Sequence, residues 1–329
     1  MIIYEKGDAI IMRIAKKRTP ELIVGIAWSL TLFLFAFLIR SPKLAAGAVR
    51  ESLSACVTGL IPSLFPFLVL TGIFCSTGLC GKLSVILSPL AGIMGLPAAG
   101  ASAVFLGALG GFPTGAVISR KLFESGGITK DEAGRLVAAS NNAGLAFCVG
   151  TVGSVLYSDA SVGWKLWGIQ LFSAFLVAFV SNASLRGKKA GKPFAKPEPE
   201  ISAPTDILSA RGLMSAFSDS VTGAAMTMLK ICAFAVFFGV VGRVVTLIVP
   251  GVFGVAALSF LELTLASIKS AALGRAGLPF CAFALGFAGM SVHAQVAAAL
   301  SGSGIGMRRY FVSKLAQGLI SALMTAILC

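Results

Sequence analysis

The feature that most constrains this chain is a succession of apolar runs divided by short basic segments. A membrane-spanning helix needs about 20 mainly apolar residues, because hydrocarbon offers backbone N–H and C=O groups no partner outside the helix itself. Ile23 to Ile39 is the clearest first run. Ala48 to Leu79, Leu83 to Leu109, Leu145 to Leu156, Val162 to Val180, Val221 to Val249, Val252 to Ala272, Leu278 to Leu300 and Tyr310 to Leu328 follow. Only 12% of the residues are charged and 57% are aliphatic, aromatic or Cys, against roughly 25% charged in a soluble domain. That is too little charge to coat a soluble core of 329 residues. The pattern predicts an all-α polytopic membrane protein.

The net charge of +14 could in other contexts mean nucleic acid, but that reading needs a soluble basic face. Here Lys and Arg sit between apolar runs, so membrane lipid, not nucleic acid, is the expected partner. Arg13, Lys16, Lys17 and Arg18 form one cluster. Arg186, Lys188, Lys189, Lys192 and Lys196 form a second, and Arg308, Arg309 and Lys314 a third. Basic loops mark the cytoplasmic side, which predicts a multi-pass protein of the cell membrane with its N-terminus in the cytoplasm. Arg40, Lys43 and Arg50 run against the rule, since they follow the first span. No small-residue cleavage site follows Ile39, so the first run reads as an uncleaved helix; Met12 would serve as well as Met1 as a start. The seven cysteines lie mostly in apolar stretches without CxxC spacing and read as small buried hydrophobes. With one His, no HExxH, no GxSxG and no metal-ligand cluster, no enzyme activity, metal or cofactor is expected.

The organisation follows from these runs. Residues 1–22 read as a cytoplasmic basic segment and 23–43 as the first transmembrane helix. Residues 44–183 read as one repeat, 184–206 as a cytoplasmic linker rich in Lys, Pro and Glu, and 207–329 as a second repeat. Pro62 and Pro66, four residues apart, predict a kink in the run that holds them. Ser119 to Gly144 is too polar to span. Thr129 with Glu132 forms a capping box that predicts a short surface helix ending near Ser140. The repeat rests on short matches, Val57-Thr58-Gly59 with Val221-Thr222-Gly223 and Leu109–Pro113 with Phe287–Ser291. Topology supports it: with the N-terminus, linker and Arg308-Arg309 loop all inside, the first repeat crosses an odd number of times, so the second starts from the opposite side. Inverted repeats with re-entrant or broken helices put a transporter's site near the midplane, at Gly- or Pro-interrupted segments.

Polar groups inside apolar runs are costly and by default face a cavity or a partner. Gly111, Phe112, Pro113, Thr114 and Gly115 form either a substrate-site break or a tight packing point. Ser140, Asn141, Asn142 and Gly144 form either the tip of a re-entrant hairpin, whose amides meet a polar ligand, or an ordinary turn. Glu262 and Thr264 lie in an apolar run, with Lys269 seven residues beyond Glu262 and so on nearly the same helix face. Glu262, Lys269 and the isolated Lys230 are candidates for a coupling or charge-pair site, the alternatives being a structural ion pair or a snorkelling lysine. Gly289, Ser291, His293 and Gln295 make the fourth group. A lone His there is either a packed, hydrogen-bonded residue or a proton carrier.

These motifs resemble, in order and spacing, the sporulation integral membrane protein YlbJ (SpoVV) family. The resemblance lies in Leu109 to Ala116 (Leu-Gly-Gly-Phe-Pro-Thr-Gly-Ala), Ser140 to Gly144 (Ser-Asn-Asn-Ala-Gly), Leu261 to Thr264 (Leu-Glu-Leu-Thr) and Gly289 to Val296 (Gly-Met-Ser-Val-His-Ala-Gln-Val). It runs from about Ala48 to the C-terminus. It implies membership of the nucleoside-recognition, or Gate-domain, group, which is similar to concentrative nucleoside transporters. The implied function is secondary transport of a small polar or anionic heterocycle, dipicolinate-like or nucleoside-like, with H+ or Na+ as coupling ion. For the sporulation branch the implied solute is dipicolinate and the implied location the outer forespore membrane. A homo-oligomer stays open. The other reading of the residues is a non-transporting assembly factor for spore or cell-envelope maturation.

Overall fold

The computed structural model describes residues 24–183 and 210–329, apart from Ile26. The segment 1–22 and the linker 184–206 lie outside the described residues. Two compact units result, the first ending at Val49 and the second running from Arg50 to Cys329. The first holds α1 (Ala27–Arg40) and the start of α2 (Pro42–Ala55). Pro42 opens α2 where its missing N–H costs nothing. Trp28, Leu32, Phe35 and Ile39 are exposed along α1, as suits a helix bathed in lipid.

The second unit is helical throughout its described residues. A π-helical turn (Cys56–Leu60) leads into α3 (Ile61–Ser76), one turn before Pro62 and Pro66. The two prolines withhold backbone donors, and the π turn precedes them within one continuous helical stretch, Pro42–Ser76. Then come α4 (Leu79–Ile93), α5 (Ala101–Gly110), α6 (Thr114–Glu124) and α7 (Lys130–Ser140). A π-helical segment (Ala146–Leu156) and α8 (Ala160–Ser181) complete the first half. The second half holds α9 (Ala210–Ile248), α10 (Gly251–Leu261), α11 (Leu263–Ala271), α12 (Leu278–Phe287), α13 (Gly289–Leu300) and α14 (Arg308–Leu328).

Among the described residues, five helical stretches are long and apolar enough to cross a membrane: Pro42–Ser76, Ala160–Ser181, Gly212–Ile248, Gly274–Leu300 and Arg308–Leu328. Leu79–Ile93 and Ala98–Gly110 make a sixth if taken as one span, although they meet at 113°. The sequence read Leu83 to Leu109 as one run; Pro97 sits at the bend. Val85, Ile86, Val155, Phe253 and Ile327 point outward, while Asn141, Asn142, Gln170, Glu262, Lys314 and Gln317 are buried. This inside-out polarity is what a lipid solvent selects.

Packing repeats in the order of the elements. The contact of α6 with α7 recurs as α11 with α12, α5 with α7 as α10 with α12, and α3 with the π segment as α9 with α13. Contacts between the halves show the same exchange: α7 with α14 matches α12 with α8, and α6 with α13 matches α11 with the π segment. This correspondence sets the break at Gly111–Pro113 against Glu262, and the break at Asn141–Gly144 against Ala288–Gly289. The short sequence match had paired the first break of one half with the second break of the other. Small residues are common at every helix break, so four such segments look alike until the packing orders them.

One other expectation changes. Thr129 does cap α7, with the reciprocal Glu132 bond in place, but α7 is a surface helix only in its first turn, and Leu136 to Ser140 are buried. At the start of α8, hydrogen bonding from the Ser161 side chain, and then from the Ser161 N–H at 2.8 Å, holds the Asp159 carboxylate below the usual carboxylate range.

Candidate functional site

The breaks meet in pairs. Gly111 has φ +79°, and a Cβ there would lie 2.9 Å from the amide nitrogen of Gly144. Gly289 has φ +66°, and a Cβ there would lie 3.1 Å from the Leu261 carbonyl. A side chain would be strained by backbone conformation and blocked by the facing chain at both positions. Gly115 makes the same kind of approach to Ser140, whose carbonyl would lie 2.6 Å from an added Cβ. These three glycines and Ser140 therefore act as packing points that let the breaks cross.

Each break needs partners for its freed backbone groups. Asn141 supplies some in the first half: its Oδ1 accepts from the Ala116 N–H at 3.0 Å, across to the start of α6, and its Nδ2 donates to the Val137 carbonyl. Gln170 of α8 brackets Ala143, donating to its carbonyl at 2.8 Å and accepting from its N–H at 3.3 Å. In the second half Glu262 is both the break and the cap, its Oε2 accepting from the Leu265 N–H at 2.6 Å.

Three of the four breaks, with Val292 and Gln295 of α13, wall one small cavity of about 30 Å³ between the halves. Phe112 and Gly144 line it from the first half. Glu262, Thr264 and Gln295 line it from the second, and Leu60, Ile231 and Ala235 close the sides. That space suits a water molecule, so admitting a heterocycle requires the crossed helices to part. Ile231 and Gln295 also line a larger vestibule of about 360 Å³ with Arg120, Lys121, Glu124 and Lys230. Arg120 pairs with Glu124 at 2.7 Å and donates to the Ala299 carbonyl at 2.9 Å. Lys121 and Lys230 form no ion pair among the described residues. Pro113, Val117, Lys121 and Thr227 continue into a second opening of about 280 Å³, which Thr114 also lines.

The remaining candidates separate. Lys269 does not share a cavity with Glu262; its Nζ pairs with Glu51 at 2.8 Å. The expectation of a shared helix face fails because α11 begins at Leu263, so Glu262 is not on the same regular helix. Lys230 is exposed at the vestibule, away from both. His293 sits in an aromatic cluster with Phe287, Tyr310 and Phe311, and its Nδ1 lies 2.8 Å from the Gly289 carbonyl. A carbonyl only accepts, so Nδ1 donates to it, while Nε2 has no hydrogen-bond partner among the described residues. Ser291 is buried, and its Oγ has no hydrogen-bond partner either.

One group was misplaced by the sequence. Lys314 is not part of a cytoplasmic cluster with Arg308 and Arg309; it is fully buried. Its Nζ donates to the Gln317 Oε1 at 2.7 Å and to the Asn142 Oδ1 at 3.1 Å. Gln317 in turn donates to the Asn142 Oδ1 and to the Gln170 carbonyl, both at 3.0 Å. An ionised side chain at membrane depth costs about 2.5–3.5 kcal/mol on insertion scales, and this cage of amides offsets part of that. The available signal was spacing: Lys314 and Gln317 are three apart and share a helix face.

Fold and site together define a polytopic helical membrane protein whose interior is built on two crossed pairs of broken helices. Over 91% of its length the chain is similar, at 27% identity, to the sporulation integral membrane protein YlbJ of Bacillus subtilis (strain 168), of which the match covers 81%. No family model matches the chain, and no solved structure matches it.

Proposed function

We propose that the chain is a secondary transporter of a small polar solute, with its site where the crossed breaks meet. The observation that carries this reading is the cavity walled by three of the four breaks and by α13, joined through Gln295 and Ile231 to a vestibule with two lysines that form no ion pair among the described residues. Broken half-helices present free backbone donors and acceptors at depth, where only a cavity or a ligand can use them. Glu262, Thr264, Gln295 and the peptide groups around Phe112 and Gly144 would bind the solute. Lys121 and Lys230 would draw in an anion, and such steering weakens with salt. A dipicolinate-like or nucleoside-like heterocycle fits these groups and follows the family resemblance. The likeness to concentrative nucleoside transporters, the Gate-domain assignment, the cytoplasmic N-terminus and an outer forespore location belong to the same proposal. Inversion of the two repeats also belongs to it: it follows from the odd number of crossings per repeat, and the exchange-symmetric packing supports it.

The test is counterflow in proteoliposomes with labelled dipicolinate and labelled nucleosides, comparing wild type, Glu262→Gln and Asn142→Ala. Solute-specific exchange by wild type that Glu262→Gln lowers is the expected result. Equal exchange by all three would remove the site assignment. No exchange of any probe, with normal spore or envelope defects on deletion, would favour the assembly-factor reading.

A further inference from the structure

We propose that Lys314 is the residue that takes up and releases the coupling proton, so that transport is driven by H+. This rests on the transporter reading above. The geometry supplies the argument. Nζ meets two acceptors, Asn142 Oδ1 at 3.1 Å and Gln317 Oε1 at 2.7 Å. No carboxylate lies within ion-pair distance among the described residues. An ammonium has three N–H donors and an amine has two. Two donors serve the amide oxygens in either form. The third position is free to turn toward the rings of Phe112, 5.8 Å from Nζ to the centroid, and Tyr310, 5.9 Å away. As an ammonium, Lys314 uses that third N–H in a cation–π contact; as an amine, it leaves a lone pair there and keeps both hydrogen bonds. The proton released is therefore the third one. It passes to water when the site opens to one side, the electron pair stays on nitrogen, and a proton from water on the other side restores the ammonium.

The site is placed to couple this change to the solute. Asn142 belongs to the break that borders the cavity through Ala143 and Gly144, and Phe112 lies against both the cavity and Nζ. Gln317 also lines a small pocket of about 10 Å³ with Arg135 and Arg309. The charged and titratable surroundings are simple. α13 contributes His293, whose ring lies 4.9 Å from that of Tyr310, and α14 itself contributes Tyr310 and Arg309. α7 contributes Arg135 and Asp131, which pair with each other, and Asp131 also pairs with Arg309. α8 faces the cage with Gln170, and α12 packs on α14 through Gly286 and Phe287.

The experiment compares wild type, Lys314→Met and Lys314→Arg in proteoliposomes with labelled dipicolinate, by counterflow and by accumulation under an imposed pH gradient. Wild type is expected to do both. The variants, one never charged and one always charged, are expected to keep counterflow but lose accumulation by at least about tenfold, within the usual range of coupling between sites. Accumulation by Lys314→Met equal to wild type would overturn the proposal. A second measurement does not depend on transport or on the stability of a variant. In wild-type protein labelled at lysine 15Nζ, one resonance should convert from ammonium to amine between acid and alkaline buffer, and the same resonance should be absent from Lys314→Gln. A buried lysine signal that stays ammonium throughout would overturn the proposal. Conversion of that signal without exchange of any solute would leave the proton site standing and defeat the transporter reading instead.

Discussion

The two crossings share a geometry and differ in chemistry. In each, a positive-φ glycine, Gly111 or Gly289, brings one break against the backbone of another. The first crossing satisfies its loose ends with neutral amides, Asn141, Asn142 and Gln170, and with a lysine supplied by the other half. The second satisfies its own with a single carboxylate, Glu262, that caps the helix it interrupts. One crossing is thus held from across the molecule and the other from within. Such a pair teaches that two crossings can share a backbone plan while one takes a lysine and the other an acidic side chain. Both lie beside a common cavity.

If this contrast is right, removing an amide from the first crossing should cost more than removing the carboxylate from the second. Asn142→Ala strips an acceptor from both Lys314 and Gln317, leaving a buried charged donor short of a partner. We expect a loss of about 3 kcal/mol, read as a fall in melting temperature of the detergent-purified protein. Gly111→Ala and Gly289→Ala test the shared geometry. Each should cost about 1–3 kcal/mol through backbone strain, Gly111 the more because its neighbour is closer; equal stability of either variant and wild type would break the symmetry argument. Glu262→Ala should cost about 1 kcal/mol through the lost cap, and Glu262→Gln only a few tenths, while both abolish counterflow. A Glu262→Gln protein that melts far below wild type would show that the second crossing, too, depends on charge. The smallest effect belongs to the half-exposed Lys269–Glu51 pair. Lys269→Ala should lower stability by about 0–1 kcal/mol, and the difference should shrink in high salt.

Much of this was legible in the sequence. Five of the nine apolar runs coincide with helices long and apolar enough to cross a membrane, and Leu83 to Leu109 makes a sixth if its bent pair is one span, because a helix in hydrocarbon must be apolar for its whole length whatever its neighbours do. Thr129 and Glu132 gave the start of α7, since a capping box is a local bond between residues three apart. Phe112, Gly144, Glu262, Thr264 and Gln295 stood out as polar or glycine-rich interruptions, and the fold does bring them to one cavity. Lys314 was read as one of three basic residues after a span, because composition cannot distinguish a lysine at a helix end from one two turns inside it. The pairing of Lys269 with Glu262 failed for a related reason: helical periodicity assumes an unbroken helix, and the break at Glu262 is stabilised by contacts from Gly289, far along the chain.

The sequence by itself determined that this is a multi-span helical membrane protein with interrupted spans, because transfer into lipid and the conformational limits of Gly and Pro act residue by residue. Only the tertiary structure decided which interruptions face one another, that Lys314 is caged by Asn142 and Gln317, and that one cavity touches three of the four breaks. Those outcomes depend on close approach between segments more than a hundred residues apart, and close approach is set by packing between helices, which no local pattern records.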